Sequence, residues 1–155
     1  DTSEAKMTVS GVPDQPGVAA KLFRSLADAD VNVDMIVQNV SDAGATDISF
    51  TLPHEQVSAA TATVDALVAE IGAKGVVTDT GIGRVSLTGA GMQTNPGVAA
   101  TMFETLSTSG INIEMISTSA IRISCVVRED QAEQAVTVLH AAFELDKAPA
   151  NRSDI

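Results

Sequence analysis

Two short loops carry the residue types that could hold a small charged molecule. One reads "GVPDQPG" over residues 11–17 and the other "GAGMQTNPG" over residues 89–97. Each lies between an alternating apolar segment and a stretch with apolar residues at helical spacing, so each opens onto a helix N-terminus. The unpaired N–H groups and partial positive charge of such an end suit a carboxylate. The ammonium group of an amino acid would then need an acceptor, which Asp14, Gln38 or a strand-edge carbonyl could supply. Gly17 and Gly97 leave the backbone open to close approach. The same residues also have a plain structural reading, in which Asp14 and Asn95 cap helices and the glycines make turns. Asn32 and Asn112, each between two β-branched residues, likewise read as turn residues entering a strand, and Met35 and Met115 as core.

Catalytic constellations are hard to find elsewhere. His54 and His140 are the only histidines, neither has a cysteine or paired acid at metal-ligand spacing, and both read as surface or structural residues. "GIGRVSLTGAG" has glycines but lacks the Lys-Ser/Thr ending of a phosphate loop and the spacing of a dinucleotide fingerprint. Cys125 is the single cysteine, which excludes an internal disulfide and a thiolate zinc site. No cofactor or metal is expected.

Composition narrows the partners. With 9 basic and 20 acidic residues the net charge is -11, a field that repels phosphate backbones and anionic headgroups, so neither nucleic acid nor membrane is an expected partner. No apolar run approaches the ~20 residues that span a bilayer, and no export signal is visible; the cytoplasm is the default location. The start at Asp1 without methionine reads as a processed form or an expressed fragment. At 155 residues, 45% apolar and 19% charged, the chain can bury a core, as one ordinary domain or two small ones.

An internal repeat decides for two. "PGVAAKLFRSLADADVNVDMI" from Pro16 returns as "PGVAATMFETLSTSGINIEMI" from Pro96. Before each copy, "KMTVSG" and "RVSLTG" alternate as half-buried strands. Val18, Leu22, Leu26 and Ala29 then recur at helical spacing, and Pro16 and Pro96 read as helix starts. "VNVDMIVQNV" and "INIEMISTSA" read as second strands, "TDISFTL" and "IRISCVV" as third strands. "EQVSAATATVDALVAEIG" and "DQAEQAVTVLHAAFEL" read as second helices, and "GVVTD" as a fourth strand of the first copy. The order is βαββαβ, the ferredoxin-like arrangement of two helices over an antiparallel sheet, hence an α+β class. The expected domains are a first module over residues 3–80, a second over 81–146 with no fourth strand evident in its own tail, and a divergent tail over 147–155.

Both loops, both "N-[VI]-[DE]-M-I" strands and the "VQNVS" and "ISTSAIRIS" segments resemble the paired ACT domains at the C-terminal end of aspartokinase. Residues 3–143 as a whole resemble the regulatory β subunit of the heterotetrameric actinobacterial type, with "VSLTGAGM" and "ISTSAIRIS" the most specific phrases. The resemblance implies a sensor without a catalytic site of its own. ACT modules of two chains pair side by side in a homodimer, and threonine, with lysine in concert, feedback-inhibits phosphorylation of aspartate by a separate catalytic α subunit or domain. By position, Asp14, Gln15, Pro16, Gly17, Val18 and Ala19 with Gln38 and Asn39 fall on the threonine side, completed by Asn112 and Ile113 of a facing second module. Met92, Thr94, Asn95, Pro96 and Gly97 with Ser117, Thr118 and Ser119 fall on a quasi-equivalent site, completed by Asn32 and Val33. Relatives commonly carry glutamate after the Ser-Thr-Ser triplet; Ala120 stands here, leaving Asp34 and Glu114 as carboxylates for a lysine side chain. Two other readings stay open: an ACT sensor of another biosynthetic enzyme, such as the acetolactate synthase regulatory subunit, and a catalytic ferredoxin-like domain.

Overall fold

The computed structural model describes residues 2–40, 44–89 and 97–143. The chain divides into two compact units, Ser3–Thr80 and the residues from Gly81 on.

In the first unit the elements run β1 (Glu4–Pro13), α1 (Val18–Asp28), β2 (Ile36–Val40), β3 (Ala45–Pro53), α2 (Val57–Ile71) and β4 (Gly75–Asp79). The strands form one antiparallel sheet in the order β2-β3-β1-β4. Alternation along β1 puts Ala5, Met7 and Val9 in the core, with Lys6, Thr8 and Ser10 on the other face. Leu22 and Leu26 of α1, and Ala60, Val64, Leu67 and Ile71 of α2, meet them at helical intervals, which is why both helices cover one face. Phe50 of β3 is fully buried and meets Phe23 of α1 edge to face, with ring centroids 5.7 Å apart. Burying a side chain of that size contributes ~1.5–3 kcal/mol.

The second unit runs β5 (Ile82–Thr88), α3 (Gly97–Thr108), β6 (Met115–Thr118), β7 (Arg122–Arg128) and α4 (Ala132–Phe143). Its described strands pair as β5-β7-β6, the same arrangement as β1-β3-β2. Met102, Leu106, Ile123, Cys125, Val127 and Leu139 form its core. Among the described residues no strand lies beside β5, where the first unit has β4; residues 144–155, the expected tail among them, lie outside the described residues. The α+β class and the ferredoxin-like order therefore hold, fully in the first unit and through the second helix in the second.

Two expectations need correction. Helix α1 does not start at Pro16: it begins at Val18, with Gly17 as N-cap at φ 89°, a left-handed conformation that puts the turn one residue beyond the proline. Pro96 lies outside the described residues. The second strands are also half as long as their Val/Ile alternation suggests. β2 begins only at Ile36 and β6 only at Met115; just before β2 the Met35 N–H donates to the buried Thr51 hydroxyl at 2.9 Å. The second helices are each led by a 3-10 turn, over His54–Gln56 and Glu129–Gln131.

Candidate functional site

β1 and β2 both run antiparallel to β3, so their C-terminal ends lie together at the edge where β3 begins. That topology brings the loop of residues 14–17 to the same end of the sheet as Gln38 and Asn39. The Asp14 N–H donates to the Gly44 carbonyl at 3.0 Å, which ties the loop to the start of β3. The Gln15 N–H donates to the Pro13 carbonyl at 2.9 Å. Gln38 Nε2 reaches Thr46 Oγ1 at 3.5 Å, and that buried hydroxyl donates to the Asn39 carbonyl at 3.0 Å. Asp14, Gln15, Pro16, Gly17, Gln38 and Asn39 are exposed, whereas Val18 and Ala19 pack against the core.

The helix end beside this loop keeps its positive character. No side chain caps α1 and no acidic residue stands in its first turn, so Asp14 is not the cap that its residue type allowed. The Val18 N–H reaches the Gln15 carbonyl at 3.4 Å. Those of Ala19 and Ala20 have no carbonyl within the helix to bond. A carboxylate seated there would meet two donors and the favourable end of the helix dipole.

Met92, Thr94, Asn95 and Pro96 lie outside the described residues; Gly97 opens α3. Ser117 and Thr118 close β6 and are exposed. Ser119 makes the turn that follows: its N–H donates to the Arg122 carbonyl at 2.7 Å, and its hydroxyl accepts from the N–H groups of Ile121 at 3.4 Å and Arg122 at 3.1 Å. Its side chain is thus engaged in holding the hairpin. Glu114 is paired with Arg128 at 3.3 Å.

The remaining expected site residues sit at the other end of their modules. The Asn32 N–H donates to Gln56 Oε1 at 2.6 Å, just beyond the C-terminal end of β3. With its neighbour Val33 it is separated from the first loop by the nine residues of β3, ~30 Å of strand. Asn112 and Ile113 hold the matching place in the second unit, where they line an open cleft of about 390 Å³ with Phe103, Ser107 and Gly110.

Asp47 was not expected. Its Oδ1 accepts the Gly11 N–H at 3.0 Å, at a bulge where the β1–β3 register shifts and Gly11 takes φ 64°. The signal lay in "TDISFTL": Asp47 is the polar partner across from Asn39, at the root of the loop.

His54 and His140 are exposed, and no cluster of His, Cys, Asp or Glu among the described residues could hold a metal ion. Burial pushes the Cys125 thiol up to about 12, which keeps it protonated and unreactive at neutral pH. No described helix is long and apolar enough to cross a membrane.

Comparison with known proteins agrees with the two-module fold. The ACT domain family model matches residues 7–67 and again residues 85–143. The aspartokinase of Mycobacterium tuberculosis (strain ATCC 25618 / H37Rv) is 53% identical over 147 residues, 94% of this chain and 35% of the relative. The aspartate kinase of Pseudomonas fluorescens (strain SBW25) is 50% identical over 151 residues, 97% of this chain and 36% of the relative. The chain thus spans about a third of the curated relatives it matches. Among solved structures, one chain of aspartokinase alpha and beta subunits superposes with a TM-score of 0.87 at 43% identity, covering 93% of this chain and 95% of that one. The ligand-free regulatory subunit of aspartate kinase from Thermus thermophilus gives 0.86 at 38% identity, covering 92% and 95%.

Proposed function

Because the chain belongs to the ACT-domain family and corresponds to the regulatory part of aspartokinases, we propose that it senses threonine at its first loop and thereby feedback-inhibits an aspartate-phosphorylating catalytic part that lies outside it. The observation that carries the reading is the meeting of Asp14, Gln38 and an uncapped helix N-terminus at one end of one sheet. Threonine's carboxylate goes to the N–H groups of Ala19 and Ala20, its ammonium to Asp14 and its hydroxyl to Gln38. Asp14 and Gln38 are exposed, so the pocket needs a lid. Asn112 and Ile113 of a second copy supply it in a two-fold homodimer, which makes two equivalent sites. Lysine, acting in concert at the second loop, is the weaker half of the reading: Ala120 offers no carboxylate, and Glu114 is already paired with Arg128.

Calorimetry with threonine tests the assignment. The unaltered chain binds. Asp14→Ala leaves the ammonium unpaired, which costs ~2 kcal/mol, roughly thirtyfold or more in affinity. Thr94→Ala stays within a few fold. Equal losses in the two variants, or none in Asp14→Ala, place the ligand elsewhere.

A further inference from the structure

We propose that Asp47 is a positioning residue: by clamping the bulge at Gly11 it sets the pose of the loop that carries Asp14. Three restraints converge there. The Asp47 carboxylate accepts the Gly11 N–H at 3.0 Å. The Lys74 N–H donates to the neighbouring Ser10 carbonyl at 2.8 Å, and the Lys74 stem lies so close over Gly11 that a Cβ there would stand 2.5 Å from its Cγ. Beyond the bulge, the Asp14 N–H is fixed to the Gly44 carbonyl at 3.0 Å.

The geometry explains why a clamp is needed. A one-residue slip in a strand turns every later side chain to the opposite face. The bulge inserts such a shift between Val9 and Val12, three residues before the loop. The conformation at Gly11 therefore decides which way residues 12–17 leave the sheet. Gly11 is held in the left-handed region, and its N–H is turned out of the β1–β3 ladder. A carboxylate on that N–H is a stronger restraint than a neutral acceptor. In the second unit the corresponding N–H has a backbone partner: the β5–β7 register runs unshifted through Thr88–Arg122, and the Gly89 N–H donates to the Ile121 carbonyl at 2.9 Å. Arg122 stands where Asp47 does.

The ligand consequence rests on the threonine reading above; the clamp does not. Amide hydrogen exchange at Gly11 and threonine calorimetry are therefore measured together on the unaltered chain, Asp47→Ala and Asp47→Asn. Asp47→Ala is expected to lose Gly11 protection and about tenfold in threonine affinity. Asp47→Asn keeps an acceptor oxygen and is expected to restore most of both. Unchanged Gly11 protection in Asp47→Ala overturns the clamp, whatever the ligand data say. Lost protection with unchanged affinity overturns its role in positioning. An Asn variant as weak as Ala in affinity, with Gly11 protection intact, overturns it too, since Asp47 would then touch the ligand directly. If the unaltered chain binds no threonine, the threonine reading fails while the exchange arm still decides the clamp.

Discussion

The two modules agree where helix meets sheet and differ where the sheet ends. Leu22, Leu26, Val31 and Met35 of the first stand where Met102, Leu106, Ile111 and Met115 stand in the second, and all eight are buried. Even a polar pair repeats: the Thr8 and Ser49 hydroxyls lie 2.8 Å apart, as do those of Ser86 and Ser124. At the end carrying the loops, Asp14 is matched by Thr94, Gln38 by Thr118, Thr46 by Ile121 and Asp47 by Arg122. Packing asks only for apolar volume at fixed intervals, which many side chains supply. Recognition asks for particular donors, acceptors and charges at a few rim positions. One scaffold thus carries two unlike rims.

The sharpest test of the shared scaffold is a place where the cores differ. Phe50 and Cys125 occupy the same position, facing Met7 and Val85 respectively across the ladder. Phe50 is fully buried and meets Phe23 edge to face. Phe50→Ala is expected to cost ~3–5 kcal/mol, and Cys125→Ala about 1 kcal/mol, the scale of a small apolar group. Denaturant unfolding of both variants measures this. Comparable losses would mean that the second core depends on its thiol position as heavily as the first does on its ring.

Much of this was legible in the sequence, because it is written in period. The alternation of β1 and β5 and the three-and-four spacing of α1 to α4 mark helices, strands and their buried faces. The rim was less legible. Gly17 as N-cap and Gly11 in a bulge are decisions of φ, which a residue type permits but does not compel. "VNVDMI" alternates like strand, yet β2 begins only at its last residue; before it the Asp34 N–H and the Met35 carbonyl still bond the Thr51 backbone, and the Met35 N–H goes to the Thr51 hydroxyl. The hairpin role of Ser119 was hidden in the same way: a hydroxyl in a Ser-Thr-Ser triplet does not announce that its partners are the N–H groups of Ile121 and Arg122. Asp14 and Gln38 are grouped by the family resemblance, and the fold places both at the end of the sheet where β1 and β2 finish.

Thr51 offers a second, smaller test. Its hydroxyl takes the Met35 N–H and its carbonyl the Asp34 N–H at 3.0 Å. In the second module Val126 stands there, with its carbonyl taking the Glu114 N–H at 2.8 Å. Thr51→Val makes the first module copy the second. It preserves shape and removes one buried acceptor, so the expected cost is ~1–3 kcal/mol. A neutral result would show that the Met35 N–H finds another partner, and that the side-chain restraint is as dispensable in the first module as it is in the second, which lacks it.

The smallest expected effect lies where the first helix of each module ends. Asp30 takes φ 59° and Gly110 φ 74°, the left-handed step that lets the chain fold back. The closing bonds match: the Val31 N–H donates to the Leu26 carbonyl at 3.0 Å, and the Ile111 N–H to the Leu106 carbonyl at 2.9 Å. A Cβ added at Gly110 meets nothing within 4 Å, so any penalty there is conformational rather than steric crowding by neighbours. Gly110→Ala is expected to cost about 1 kcal/mol. In Asp30→Gly two terms oppose: relief of the left-handed conformation, and the greater freedom that glycine gives the unfolded chain, ~0.5–1 kcal/mol. Aspartate tolerates this region better than most residues, so the relief is modest and the net gain is expected to be at most about 0.5 kcal/mol. Thermal unfolding of the two variants ranks them. If Asp30→Gly is instead as destabilising as Gly110→Ala, the Asp30 side chain holds the turn by a contact of its own, and the two helix ends are equivalent in shape but not in cause.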